Sequence, residues 1–422
     1  MKDIAVVILN HIQYDNIVSG LEELKKCGYS IDIYCSHWDD DSSGMNSMFN
    51  DMTDYCKKNN FNVYRKPDAN KNYKVLLEPY PCLDISAKYK IKYRYSNVSA
   101  KPNIVYKPEN YIMYDAILCS GDYDSNYLSV FSKTYKTANL KYENFKKSEV
   151  RKSDKKQLLY LPTYGSESSI EQIFDVLDEL KNHYYIVAKI HHGTNYLVNE
   201  HNRIDLLKDK VDELYDSHTP LTTLLETTDV ILTDNSGSIF EGIFTEIPVA
   251  VFCDDINKNK TGDFNTTQYE LYKDGILPFT NNPNEIVNIL EEAQSESVIE
   301  KQREWNQTNF YHPENFTADF VNVIKMYLNE DFDKRYFQMH RVLKDSFYNY
   351  LHKYQEELPS LRAQVAELQN ALAVQKSINS NLESNIADLN SQVDNLSRQV
   401  DYYNTGTLYK FAKKIYKLKN GD

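Results

Sequence analysis

Short apolar runs alternate with amphipathic stretches through most of the chain, and a heptad pattern replaces them near its end. Ile4 to Leu9 is apolar throughout, long enough for one buried strand, and it stops at Asn10-His11. Ile17 to Cys27 has helical spacing and is closed by Gly28. Ile31 to Cys35 predicts a second strand, Met45 to Lys58 a helix, and Phe61 to Tyr64 a third strand. Tyr73 to Pro108 is rich in Tyr and Lys and gives no clear period. Tyr114 to Cys119 reads as a strand and Ser125 to Phe131 as a helix. The polar stretch Lys141 to Lys156 then reads as a linker.

A second series opens at Leu158-Leu159-Tyr160-Leu161. A helix over Ser169 to Leu180 follows, with Ile170, Ile173, Phe174, Leu177 and Leu180 on one face. Tyr184 to Ile190 is a strand, Ile204 to Leu207 and Leu221 to Leu225 are helical, and Val230 to Leu232 is a strand. A helix over Ile239 to Glu246, a strand over Val249 to Phe252, and helices over Ile286 to Ala293 and Phe316 to Leu328 complete the series. Strands alternating with helices predict an α/β fold with parallel sheets, here two Rossmann-like halves over residues 1–150 and 151–330. Neither half carries the G-x-G-x-x-G turn of a dinucleotide site, so no nicotinamide cofactor is expected.

Residues 331–360 read as a helical connector, and from Leu361 to Tyr403 apolar residues recur in steps of four and three. Val365, Leu372, Ile386, Val393 and Val400 form one row; Leu361, Leu368, Leu382, Leu389 and Leu396 form the other. β-branched residues in one row and leucine in the other predict a parallel two-stranded coiled coil over 361–403, and hence a homodimer. Gln375 and Asn379 would be its polar layer. Over 405–422, Leu408, Phe411, Ile415 and Leu418 share a face ringed by Lys410, Lys413, Lys414, Lys417 and Lys419. That pattern predicts a basic amphipathic helix touching anionic lipid through 408–418.

The 422 residues are 41% hydrophobic, enough for real cores, and carry a net charge of -13. Nucleic acid is therefore not an expected partner. Six scattered cysteines without C-x-x-C pairs read as reduced core thiols, which fits a cytoplasmic protein. No stretch is long and apolar enough for a transmembrane helix. Asp39-Asp40-Asp41 reads as a solvated loop, and no metal site is expected.

Candidate chemistry gathers at strand ends, where the ligand crevice of an open parallel sheet lies. Thr233 to Ser238 is a small-residue turn between a strand and a helix, suited to phosphate through backbone N–H groups and the Ser236 and Ser238 hydroxyls. Thr163 and His191 end two further strands, and a protonated His191 would neutralise charge on a leaving nucleotide phosphate. Glu241, one turn into the helix, would reach a hydroxyl of donor or acceptor.

The segment Leu159-Tyr160-Leu161-Pro162-Thr163, Lys189-Ile190-His191 and Leu232 to Gly237 through Phe240-Glu241 resembles the CDP-glycerol glycerophosphotransferases, the teichoic-acid and capsule polymerases. The resemblance covers about Leu158 to Phe252, with a looser likeness up to Phe316. It implies a GT-B fold, a pair of Rossmann-type domains, with a nucleotide-activated donor on the second half. On it, His191 and the Ser236 to Ser238 turn hold the donor's phosphates; with the strand-end reading, the expected site is His191 as a catalytic residue and Thr163, Asp234, Ser236, Gly237, Ser238 and Glu241 as donor contacts. It also implies a polysaccharide or lipid-linked acceptor, a surface polymer as product, and an enzyme lying against the inner face of the cell membrane. The family carries a Trp-His-Gly-Thr segment with the acceptor base; Lys90-Ile91-Lys92-Tyr93 in that region has no histidine. His11, with Asp15 as the other candidate, is the substitute base expected at the cleft. A non-catalytic scaffold and a nucleotide-sugar 2-epimerase are the alternative functions; the first strand lacks the turn of the epimerases.

Overall fold

A computed structural model describes residues 2–36, 43–68, 70–81, 83–94, 111–150, 152–260, 263–374, 380–402, 410, 414–415 and 417–419. The run Asp39-Asp40-Asp41, the Gln375 and Asn379 layer, Tyr403 and most of 405–422 lie outside them.

Among the described residues, seven parallel strands form the first sheet: β1 (Lys2–Val7), β2 (Ile31–Tyr34), β3 (Asn62–Tyr64), β4 (Tyr73–Glu78), β5 (Ala87–Lys92), β6 (Ala116–Cys119) and β7 (Lys133–Lys136). Their order is β3-β2-β1-β4-β5-β6-β7. The second sheet has β8 (Lys156–Leu161), β9 (Tyr184–Lys189), β10 (Glu213–Tyr215), β11 (Val230–Thr233), β12 (Val249–Phe252) and β13 (Phe279–Thr280). Its order, β10-β9-β8-β11-β12-β13, is the doubly wound Rossmann order. In each sheet the chain reverses its direction of travel between the first and fourth strands. Crevices open at the carboxyl ends of β1 and β4 in one sheet, and of β8 and β11 in the other.

The apolar runs became the buried central strands, because a parallel strand covered on both faces has no polar side. Leu158, Tyr160, Ile186, Ala188, Val230, Leu232, Ala250 and Phe252 form one such core with Ile173, Leu177 and Leu180. The helix expected over Ser169–Leu180 is two short helices, Ile170–Ile173 and Val176–His183. β4 and β5 occupy the stretch without a clear period. Lys74, Lys88 and Lys90 interrupt its apolar residues, yet Tyr73, Val75, Leu76, Leu77 and Ile91 are buried.

The expected linker Lys141–Lys156 starts inside the packed structure. The Lys141 side chain is only 7% exposed, and its Nζ lies 3.0 Å from Glu241 Oε2 on the helix Ser238–Phe244. The helix Phe316–Leu328 returns to the first half. Its Phe320 ring lies so close to Gly20 that a Cβ there would sit 2.3 Å from Cδ1, and Thr317 Oγ1 donates to Ser19 Oγ at 3.0 Å.

The chain divides into two compact units, and both sheets belong to the first. The second unit is built mainly on the helices Lys334–Val374 and Ser380–Tyr402. These helices pack on one another, Val365 and Ile386 are buried, and Lys419 Nζ lies 3.8 Å from the ring centre of Tyr336. The second helix thus runs back along the first. Over 361–402 the described residues form parts of two helices in contact within the chain.

Candidate active site

β8 and β11 lie side by side with Leu161 opposite Thr233, so the turns that follow them touch. Thr233 Oγ1 donates to Leu161 O at 2.8 Å. Asp234 Oδ2 accepts from Thr163 N at 2.6 Å and from Ser169 N at 3.3 Å, and Oδ1 accepts from the Ser169 hydroxyl. Asp234 is fully buried and ties the two turns together from within. Burial drives its carboxyl up to about 7, against the hydrogen bonds that pull it down. Ser236, Gly237 and Ser238 remain half-buried at the turn. Ser236 Oγ lies 3.1 Å from Thr233 Oγ1 and accepts from Ser238 N at 3.3 Å. Gly237 has φ -63°, open to any residue, so its small size is what the turn uses.

Beside these turns a small open depression is lined by Ser166, Ser169, Asn235 and Lys258 together with the carboxylates of Glu167, Asp254 and Asp255. Glu241 is buried and engaged with Lys141, and burial raises its carboxyl although Lys141 opposes the shift.

His191 follows β9 and caps the short helix His192–Tyr196. Its Nδ1 accepts from Gly193 N at 3.0 Å, which in the neutral ring leaves the proton on Nε2, a donor. Its ring stacks on Tyr164, with centroids 4.6 Å apart and planes at 12°. Tyr164 directly follows Thr163. His191, Thr163 and the Ser236 turn therefore form one connected layer. A Cβ on Gly193 would sit 2.5 Å from Tyr164 Cγ, so the glycine makes room for that stack. Below the layer, burial presses Lys189 down to about 8 and His192 to about 4.

His11 lies apart from this layer, in a second cluster. It opens the short helix that follows β1, and its Nε2 is 3.1 Å from Asp51 Oδ2. His218, just beyond β10, places its Nε2 2.7 Å from the same oxygen, and Tyr196 OH donates to it at 2.6 Å. The cluster joins both sheets: His11 and Asp51 come from the first half, Tyr196 and His218 from the second. Burial holds His11 below its ordinary value, with Asp51 pulling the other way. For Asp51 the burial effect is upward, but bonds from Tyr196, His11 and His218 more than offset it and leave the carboxyl low. For His218 burial is again the largest influence, outweighed by Asp51 and Asp216, which together raise it. Asp15, the other expected base, is raised to about 6 by burial.

Sequence reasoning missed Asp51, Tyr196 and His218. Asp51 is one acid on an amphipathic helix, Ser43–Lys58, and β10 is three residues long, too short to mark His218 as a strand end.

Two doubly wound parallel sheets, joined at their carboxyl ends by a polar cluster, define a GT-B-like protein. Residues 132–318 match the model of the CDP-Glycerol:Poly(glycerophosphate) glycerophosphotransferase family, a stretch that takes in the whole second sheet, His191 and the Ser236 turn. The resemblance expected from the sequence motifs is thereby shown for that stretch. The fold matches the wall teichoic acid polymerase TagF at 14% identity and TM-score 0.51, over 78% of this chain and 89% of that one. A variant of TagF soaked with CDPG matches at 14% identity and TM-score 0.52, over the same shares. No curated protein matches the chain in sequence.

Proposed function

We propose that the chain is a GT-B transferase that takes a nucleotide-activated donor, CDP-glycerol or a close analogue, and extends a cell-surface polymer of the teichoic-acid or capsule type. The observation that carries this reading is the family match over residues 132–318, which falls on the strand-end layer of Thr163, His191 and Ser236. In it, the donor's phosphates lie against the Ser236–Ser238 turn, and His191 Nε2–H donates to the phosphate that leaves. The acceptor hydroxyl enters from the first half. His11 takes its proton, with Asp51 orienting the ring and stabilising the imidazolium. The step is a direct displacement at the donor's β-phosphorus or sugar carbon, and the nucleotide departs with the bridging oxygen.

The thermal shift of the purified chain with CDP-glycerol, CDP-ribitol, UDP-sugars and GDP-sugars tests the donor, because a ligand of the folded state raises the melting temperature. A shift with the cytidine donors that His191→Ala abolishes supports the reading. A shift with only UDP- or GDP-sugars moves the protein to ordinary glycosyl transfer, and no shift with any of them favours a scaffold. His11→Ala should lower turnover about 100- to 10,000-fold with donor affinity unchanged; an unchanged rate removes His11 as the base.

The acceptor in this reading is a polysaccharide or lipid-linked chain at the inner face of the membrane, met through the basic segment 408–418. No helix among the described residues is long and apolar enough to cross a membrane. The helices Lys334–Val374 and Ser380–Tyr402 touch within one chain and bury Val365 and Ile386, while Leu361, Leu368, Leu389, Val393, Leu396 and Val400 stay partly exposed, as an apolar stripe left for the expected homodimer would. Light scattering on the eluting protein decides: a mass of two chains supports the dimer.

A further inference from the structure

We propose that His11, Asp51 and His218 form a binding site for a divalent transition-metal ion of the zinc class. The ligand atoms of these three residues lie within 4.8 Å of one another. Both imidazoles direct Nε2 at one oxygen, Asp51 Oδ2, at 3.1 and 2.7 Å, and Tyr196 OH donates to the same oxygen at 2.6 Å. Tyr196 OH and His218 Nε2 are themselves 3.0 Å apart. Three polar groups thus converge on one carboxylate oxygen that has two lone pairs, the imidazoles donating to it or not according to tautomer. An ion between the four atoms relieves that crowding, since each imidazole then offers a lone pair in place of a proton.

Ligand atoms of a tetrahedral zinc site, each about 2.0–2.1 Å from the metal, lie about 3.3 Å from each other. The separations from Asp51 Oδ2 to His11 Nε2 and His218 Nε2, 3.1 and 2.7 Å, lie below that value, and the ligand atoms of the two imidazoles stay within 4.8 Å of each other, so an ion requires the groups to move outward from Asp51. The outer partner is also present: His218 Nδ1 lies 3.2 Å from Asp216 Oδ2. A carboxylate that takes the far N–H of a ligating histidine fixes the tautomer in which Nε2 faces the metal. Two imidazoles and one carboxylate, with Tyr196 or water in the fourth place, are a donor set for zinc, cobalt or manganese rather than for calcium or magnesium.

The ligands come from both halves, so a bound ion staples the cleft. The consequence rests on the reading of His11 as the base: an ion on Nε2 holds His11 to the metal, and transfer stops. The site then makes the enzyme sensitive to free zinc.

The test uses the full chain stripped of metal with EDTA and titrated with Co²⁺ alone. Visible d–d absorption of a low-symmetry site, saturating at one equivalent and bleached by Zn²⁺, is expected. His218→Ala should abolish it, and Asp216→Asn should weaken Co²⁺ binding about 10- to 100-fold while leaving a ligand set intact. Circular dichroism confirms that each variant is folded; if His218→Ala does not fold, the exposed Asp216→Asn alone decides. No absorption in the wild-type chain, or binding that neither variant weakens, overturns the site. Co²⁺ binding with transfer from CDP-glycerol undiminished by one equivalent of Zn²⁺ overturns the inhibition. Metal binding in a chain that transfers nothing even when stripped leaves the site standing and removes the transferase reading instead.

Discussion

Replacing Asp234 by asparagine removes a charge that the fold holds against its own burial. The carboxylate is fully buried, accepts from Thr163 N, Ser169 N and the Ser169 hydroxyl, and still sits at about 7. In the unfolded chain it titrates near 3.8. Between those two values the folded state binds more protons than the unfolded one, so stability falls as pH rises. The fall is complete above the folded value. A gap of about three pH units, at 1.36 kcal/mol each, amounts to about 4 kcal/mol. Asparagine does not titrate. It keeps one acceptor oxygen for two backbone donors, and its amide can donate to Ser169 Oγ, so the substitution costs about 1 kcal/mol in lost hydrogen bonding. Asp234→Asn should therefore be less stable than the wild type by about 1 kcal/mol near pH 4, and more stable by about 3 kcal/mol near pH 8. Equilibrium urea unfolding of both proteins across that range measures the difference. A difference that stays flat with pH would mean that Asp234 is ionised in both states, and that three hydrogen bonds outweigh the burial invoked here.

Other perturbations follow from the same geometry. Gly193→Ala puts a methyl 2.5 Å from Tyr164 Cγ, so Tyr164 must leave its stack on His191; the expected outcome is weaker donor binding by calorimetry and a stability loss of about 1–3 kcal/mol. Lys141→Met or Glu241→Gln alone strands a buried partner and should cost about 3–5 kcal/mol, whereas the double replacement should cost much less; equal single and summed effects in a double-mutant cycle would refute the pairing. His192, held near 4 by burial, binds fewer protons when folded than when unfolded. Stability tied to it is present above 6.5 and lost as pH falls from there towards 4, and His192→Asn should flatten that part of the acid-unfolding curve.

The α/β class and the order of most strands were legible because buried parallel strands are apolar along their whole length, and a run such as Ile4 to Leu9 has no competing period. β7, β10 and β13 were not, for they are edge or near-edge strands of two to four residues with polar members. The strand-end positions of Thr163, His191 and Ser236 could be read one by one. The buried engagement of Asp234 and Glu241 could not, because each is satisfied by a residue far away in sequence, Ser169 and Lys141. The heptads specify that two helices pair; they do not distinguish a second chain from the same chain turning back.

The return of Phe316–Leu328 to the first half has a consequence for how the protein is made. Gly20 and the surface around it are covered only when Phe320 arrives, about 180 residues after β7 has been completed. At ribosomal speeds of about 5–20 residues per second, the first sheet waits about 10–40 s with an apolar face uncovered. During that interval the second half is emerging and folding, so the earlier half of the molecule is the later one to be finished. A nascent chain stalled before residue 316 should therefore be held by chaperones, and release should come with the last helix of the first unit rather than with the closing of either sheet.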